Sequence, residues 1–498
     1  MVESAKNRPI VAGSDADTDA ALGFDIAIPL VIDLDSTLLA TDTLHESLLL
    51  FLKRRPTSAW QIPIWALSGR EALKNRLADV VTDEDVATFP ARQSLVTLAE
   101  NEAARGRKIV LATAADLSIA EKIRNRFSFI REVVASSAGH DLKGAPKAEA
   151  LHALFPDGFI YAGDSAADFD VWNRATAAIF VGRSLALKRQ IEARTELAAF
   201  LPSDLLNFRA LRRALRVHQW AKNALVFVPL ILGGKAHDAS AWLHALAAFV
   251  ALSLLASATY LLNDLWDLAD DRQHWSKKKR PIANGELPIS AALLLVALGG
   301  IAAFTVAALI GSACVAVLAL YLAASLAYSL WLKREPIIDI LMLAALFTVR
   351  LGLGVVVTNV IFSPWLFVFS MFIFLSLSAA KRQTEITRMV AHGLRETPGR
   401  GYRAEDAPIV LTIGVGAMLA TVLVMVIYLI ADAFPESFYK HSAFLWGFPI
   451  VIFLWLARIW LLCHRGELND DPVAFALKDK ASLFYGVTTV VLFCAALV

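Results

Sequence analysis

Two rhythms of apolar residues divide this chain. From about residue 217 onward, nearly uncharged runs of 17 to 24 residues recur between short polar segments. A run of that length crosses a bilayer as a helix. Nine spans are expected, over 217–233, 242–262, 290–310, 312–332, 337–357, 363–380, 409–430, 443–463 and 481–497. Before residue 205 the pattern is finer. Short apolar runs end abruptly in polar residues at PLVIDLDST (29–37), KIVLATAAD (108–116) and GFIYAGDSAADFD (158–170), with helix-forming stretches such as GAPKAEALHALF between them. Strands alternating with helices predict a doubly wound parallel α/β sheet. Residues 41 to 105 read as a helical insertion that caps the carboxyl end of that sheet. The expected organisation is a disordered stretch over 1–27, an α/β domain over 28–185, a linker over 186–216 and an all-α nine-helix transmembrane bundle over 217–498. The N-terminus is polar and acidic, without the apolar core of a signal peptide.

Charge adds an orientation. Net charge is only +2, which gives no bulk argument for nucleic-acid binding. The loops after spans two, four, six and eight hold 16 Lys and Arg, and the opposite loops hold two, Lys235 and Lys440. Positive charge stays on the cytoplasmic side. A multi-pass protein of the inner (cytoplasmic) membrane is expected, with its N-terminal domain and active sites facing the cytoplasm. In the linker, Phe208, Leu211 and Leu215 recur at spacings of three and four with Arg209, Arg212, Arg213 and Arg216 between them. Such a helix suits the surface of the inner leaflet. The cysteines Cys314, Cys463 and Cys494 have no metal-ligand spacing and read as inert thiols.

The membrane half carries its chemistry where the second span ends, in NDLWDLADDRQHWSKKKRPIANG. Asn263, Asp264, Asp267 and Asp271 would line one helix face. Oxygen ligands so grouped suit Mg²⁺, which bridges to phosphates. Asp339 and Arg350 lie eleven residues apart on the fifth span, close to three helical turns, and are expected to line a polar cavity. Lys222 and Asn223 at the first span, Lys333 after the fourth, and Lys381, Arg382 and Glu385 after the sixth complete a rim of charge fit for anionic substrates.

This set resembles the UbiA-type intramembrane prenyltransferase superfamily over about residues 210 to 498. The usual aromatic prenyltransferases carry a second Asp-rich motif, where this chain has KRQTE. Together with QWAKN, YSLWLKREPIIDILMLA and Arg350, that departure makes the chain similar to the decaprenyl-phosphate phosphoribosyltransferase branch. The resemblance implies 5-phosphoribosyl 1-diphosphate as donor and a polyprenyl phosphate as acceptor, with Asp264 and Asp267 central to catalysis. Mg²⁺ on Asn263, Asp264, Asp267 and Asp271 would neutralise the leaving pyrophosphate. Lys222, Arg350, Lys381 and Arg382 would bind the two phosphates.

The soluble half resembles the haloacid dehalogenase superfamily, over about residues 28 to 185. That likeness assigns Asp33 as nucleophile and Asp35 as general acid and base. It places Thr113 and Lys147 on the phosphoryl oxygens, and Asp164 and Asp168 with Asp33 around Mg²⁺. Ser36 stands where Gly is commoner, and Lys143 is an alternative to Lys147. The two resemblances combine in one expectation: phosphoribose is transferred to the lipid phosphate, and the 5-phosphate is then removed, to supply ribose or arabinose for envelope glycans. A homo-oligomer is compatible with the sequence. Two rivals are an isoprenoid transferase acting on a small acceptor, and a membrane-anchored phosphatase with a degenerate membrane half.

Overall fold

The computed structural model describes residues 10–11, 22–136, 142–203, 207–274, 276–396, 400–434, 439–468, 472–476 and 478–497. The chain divides into two compact units. The first joins Met1–Leu215 to Tyr260–Val296, and the second joins Arg216–Thr259 to Ala297–Val498.

The first unit is built on seven parallel strands: β1 (Ile10–Val11), β2 (Leu30–Ile32), β3 (Ile109–Asp116), β4 (Ile130–Ser136), β5 (Ile160–Gly163), β6 (Ala177–Gly182) and β7 (Glu196–Pro202). Their spatial order is β1-β7-β6-β5-β2-β3-β4. Successive side chains point to opposite faces of a strand. Leu30 and Ile32 therefore enter one core with Leu111 and Ala162, while Val31 enters another with Tyr161, Trp172 and Phe180. Both faces are covered, as a parallel sheet requires. The expected cap is present as helices between Thr43 and Ala104.

The sheet continues past the expected boundary at residue 185. β7 lies in what was read as linker, because ELAAFLP carries a strand's apolar content. Ile10–Val11, inside the expected disordered stretch, pairs with β7, while residues 1–9 and 12–21 lie outside the described part. The basic segment forms a helix over Phe208–Ala214.

The membrane half is a helical bundle. Among the described residues, eight helices are long and apolar enough to cross a bilayer: Ala239–Trp266, Ile289–Ile310, Ser312–Leu330, Ile338–Thr358, Pro364–Ala391, Ala404–Ala431, Ser442–His464 and Lys480–Leu497. They match eight of the nine expected spans. The remaining one, 217–233, is a 3₁₀ stretch over Val217–Phe227 followed by a short helix, Val228–Leu232. Its polar residues His218, Gln219, Lys222 and Asn223 break the apolar run, and Pro229, which lacks an N–H, starts the second helix. This segment lies against Gly354, where a Cβ would come within 2.3 Å of the Val226 carbonyl oxygen.

Candidate functional site

The α/β site forms at the carboxyl ends of the neighbouring strands β2, β3 and β5, where open sheets of this kind place their ligands. Asp33 follows β2 directly. Its Oδ1 accepts a hydrogen bond from Lys147 Nζ at 2.6 Å, and its Oδ2 faces the Thr37 hydroxyl at 3.4 Å. The same hydroxyl faces Asp164 Oδ1 at 3.4 Å. Lys147 sits in the first turn of the helix Ala145–Leu154, as expected, and also donates to the Tyr161 hydroxyl at 3.0 Å. Tyr161 donates to Asp168 Oδ1 at 2.9 Å, and Asp168 Oδ2 accepts from the Asp164 and Ser165 N–H groups. Asp168 thus props the β5 turn with both oxygens, and Tyr161 is a member of the site that the motif left out. Its position in the middle of an apolar strand gave no polar signal.

Asp35 Oδ1 accepts the Thr43 N–H at 2.7 Å, at the first turn of the cap helix Thr43–Arg54. The cavity they share is about 240 Å³ and is also lined by Arg70, Lys74 and Lys143. Thr113 is placed differently from expectation. It is fully buried, its hydroxyl accepts the Ala115 N–H at 2.9 Å, and the cavity wall there is Ala114, Ala115 and Asp116. β3 runs on to Asp116, with an irregularity in its pairing with β4 between Thr113 and Asp116.

Burial, with the Asp42 charge behind it, pushes Asp35 up to about 7. Burial and the Asp168 charge push Asp164 up to about 7. An acid that titrates near neutrality can both give and take a proton. Burial disfavours the Lys147 ammonium, but Asp33 and Asp168 outweigh it and hold Lys147 charged.

Among the described residues no three His, Cys, Asp or Glu side chains form a ready metal cluster. Mg²⁺ is usually held by one or two carboxylates, with waters and substrate phosphates completing its shell. Asp33 and Asp164, two carboxylates facing one hydroxyl at the cavity wall, fit that role. A stability consequence follows. Asp35 and Asp164 have an ordinary value of 3.8 and lie near 7 when folded. Between those values the native state holds protons that the unfolded chain has lost, so stability falls as pH rises. Thermal unfolding in EDTA should show the melting temperature of the first unit dropping from about pH 5 to about pH 8. Mg²⁺ should restore several degrees at the upper end and little at the lower. A flat profile would contradict the assignment.

Ser36 is left-handed, with φ 61°, and Arg92 Nε holds its carbonyl oxygen at 2.9 Å. Glycine tolerates that conformation freely, so Ser36→Gly should stabilise the unit by about 1 kcal/mol, read by the same melts.

The acidic motif belongs to the same unit and departs from a single helical face. The long helix ends at Trp266, Asp267 takes φ −90° and ψ 12°, and a second helix runs over Leu268–Gln273. The four side chains separate into two groups. Asn263 Nδ2 donates to Asp267 Oδ2 at 3.2 Å, while Asp264 and Asp271 share Arg280, which is 2.9 Å from Asp264 Oδ1. Burial raises Asp271 to about 6 even beside Arg280. Arg280 was visible only as one cation in a basic run.

In the second unit, Arg382 is 1% exposed and is bound by both Asp339 and Glu385. Arg400 reaches the same two carboxylates at 3.3 and 3.4 Å, and the Tyr402 hydroxyl donates to Asp339 at 2.5 Å. Arg382 and Asp339 are therefore the buried anchor of a network and not exposed ligands. Arg400, Tyr402 and Tyr328 joined it without a motif to mark them. Arg350 takes different partners. Its Nε donates to Asn223 Oδ1 at 2.9 Å, another N–H donates to the Leu346 carbonyl, and its guanidinium lies over Tyr321 and Phe347. The shared stripe expected for Asp339 and Arg350 resolves into two separate networks. Lys222 Nζ stands 5.8 Å above the Phe347 ring. Lys333 lies in the 3₁₀ turn Leu332–Arg334, and half-buried Lys381 precedes Arg382.

A multi-pass integral membrane protein with an α/β sheet and an acidic motif at the end of a span is thereby defined. Residues 224–488 match the UbiA prenyltransferase family, and the chain belongs to that family. It is 40% identical to the uncharacterized protein y4nM of Sinorhizobium fredii, over 93% of this chain and 90% of that one. It is 35% identical to the decaprenyl-phosphate phosphoribosyltransferase of Mycobacterium tuberculosis, over 54% of this chain and 87% of the relative. A solved UbiA homologue from Archaeoglobus fulgidus, bound to DMAPP and Mg²⁺, aligns with TM-score 0.44 and 15% identity, over 57% of this chain and 96% of that one.

Proposed function

We propose a bifunctional, Mg²⁺-dependent enzyme of the inner membrane. It transfers 5-phosphoribose from 5-phosphoribosyl 1-diphosphate to a polyprenyl phosphate and then removes the 5-phosphate. The observation that carries the first step is the kinship of the membrane half to decaprenyl-phosphate phosphoribosyltransferases, in a chain that keeps one acidic motif and builds an arginine–carboxylate network in place of the second. Bound Mg²⁺ would neutralise charge on the departing pyrophosphate. Asn263, Asp264, Asp267 and Asp271 are the residues to hold it, and Arg280, already between Asp264 and Asp271, is the cation to meet the diphosphate. A phosphate monoester is ionised at neutral pH, so the acceptor needs no strong base; positioning and electrostatics suffice. Lys222 and Lys381 are the cations assigned to the phosphates. The distribution of basic residues supports a cytoplasmic side for both active sites.

For the second step, Asp33 Oδ2 attacks phosphorus and forms an aspartyl-phosphate, while Lys147 steadies Asp33 Oδ1. Asp35 protonates the leaving 5-oxygen and then takes a proton from the water that hydrolyses the acyl phosphate. The test uses detergent-purified protein with Mg²⁺, polyprenyl phosphate and radiolabelled 5-phosphoribosyl 1-diphosphate. Labelled lipid without a 5-phosphate is the expected product. Absence of any labelled lipid would overturn the transfer reading and return attention to isoprenoid diphosphate donors.

A further inference from the structure

The short helix Leu268–Gln273 carries more than Asp271. Its next residue, Arg272, points into the α/β part of the same unit and donates two hydrogen bonds to Glu46, at 3.1 Å to Oε2 and 2.5 Å to Oε1. The pair is buried, with side chains 6% and 3% exposed. Thr41 donates to Glu46 Oε1 at 2.6 Å, Arg272 Nε reaches the Ala283 carbonyl at 3.3 Å, and its guanidinium lies 5.8 Å from the Phe89 ring. Around this pair the seam is tight. A Cβ on Gly285, whose φ is +80°, would come within 2.5 Å of the Ala40 carbonyl oxygen, and Leu49 packs into the cluster of Leu265, Leu268 and Ile282. Lys53 meets Asp270 at 3.2 Å.

Glu46 lies one turn along the helix whose first N–H, from Thr43, fixes Asp35. A buried bidentate ion pair is a poor source of net stability, yet it fixes geometry closely. We propose that Arg272 is a positioning residue for the phosphatase: through Glu46 it holds the first turn of the cap helix, and so the carboxyl group of Asp35. The loop that carries the acidic motif thereby sets the proton-transfer geometry of the α/β site. This rests on the phosphatase reading of Asp33 and Asp35.

The test compares full-length wild type with Arg272→Gln, the charge-keeping Arg272→Lys, and the double variant Glu46→Gln/Arg272→Gln, which leaves no unpaired buried charge. Hydrolysis of p-nitrophenyl phosphate should show kcat falling about tenfold in Arg272→Gln and the double variant, with KM within about twofold, since proton transfer contributes roughly 10²- to 10⁴-fold. Arg272→Lys should recover part of the loss. Hydrogen exchange over residues 43–54, measured without substrate, should quicken in the same two variants. A lower melting temperature with wild-type kcat would overturn the proposal and leave a purely structural pair. If wild type does not hydrolyse the ester, the phosphatase reading fails. Unchanged exchange over 43–54 overturns the positioning role separately.

Discussion

Asp33→Asn should abolish ester hydrolysis, by about 10³-fold or more, while leaving ribosyl transfer intact. The substitution is nearly isosteric. The amide oxygen can still accept from Lys147 Nζ, which now lies 2.6 Å from Oδ1, so the fold and its melting temperature should stay close to wild type. What is lost is the anionic oxygen proposed to attack phosphorus. In the coupled assay the label should then collect in a lipid that keeps its 5-phosphate, two charges more acidic on an ion-exchange column than the wild-type product. If both proteins yield the same ratio of products, the α/β unit does not act on the product of the membrane half, and a soluble sugar phosphate becomes its better substrate.

Asp264→Ala should lower transfer by about 10²- to 10³-fold and spare hydrolysis of p-nitrophenyl phosphate. Asp264 is buried at the end of a membrane-spanning helix and shares Arg280 with Asp271. Without it, Arg280 keeps one carboxylate, so the loop retains an ionic tie while the proposed Mg²⁺ site loses a ligand. Arg280→Gln makes the informative partner. It should raise KM for the diphosphate donor more than it lowers kcat, because it removes a contact made in ground and transition state alike. Undiminished labelling of lipid by Asp264→Ala would remove the acidic motif from the chemistry.

Much of this was legible in the sequence because the relevant signals are local. The strand ends at Asp33 and Asp164, the helix start at Lys147 and eight membrane-spanning helices each follow from a run of residues and its break. What was not legible depends on partners distant in sequence. Arg382 reads as a ligand until Asp339, 43 residues away, is seen to bind it. Thr113 reads as a phosphate ligand, and the motif does not show that its hydroxyl is buried and accepts the Ala115 N–H. Tyr161, Arg280 and Arg400 carry no motif, and only the fold brings them to their carboxylates. The segment 217–233 has the length of a span but not the uniformity, and a proline with four polar residues makes it a 3₁₀ stretch and a short helix in place of one long helix.

The first unit is discontinuous in sequence: Met1–Leu215 is completed by Tyr260–Val296, after an excursion of 44 residues into the second. On the ribosome, the α/β part emerges before the segment that covers Leu49 and neutralises Glu46 has been made. That segment follows the helix Ala239–Trp266 in the chain, so the first unit is complete only once that helix has been made. A chain cut after residue 215 would leave Leu49 uncovered and Glu46 without its guanidinium partner, with the Thr41 hydroxyl still bonded to it.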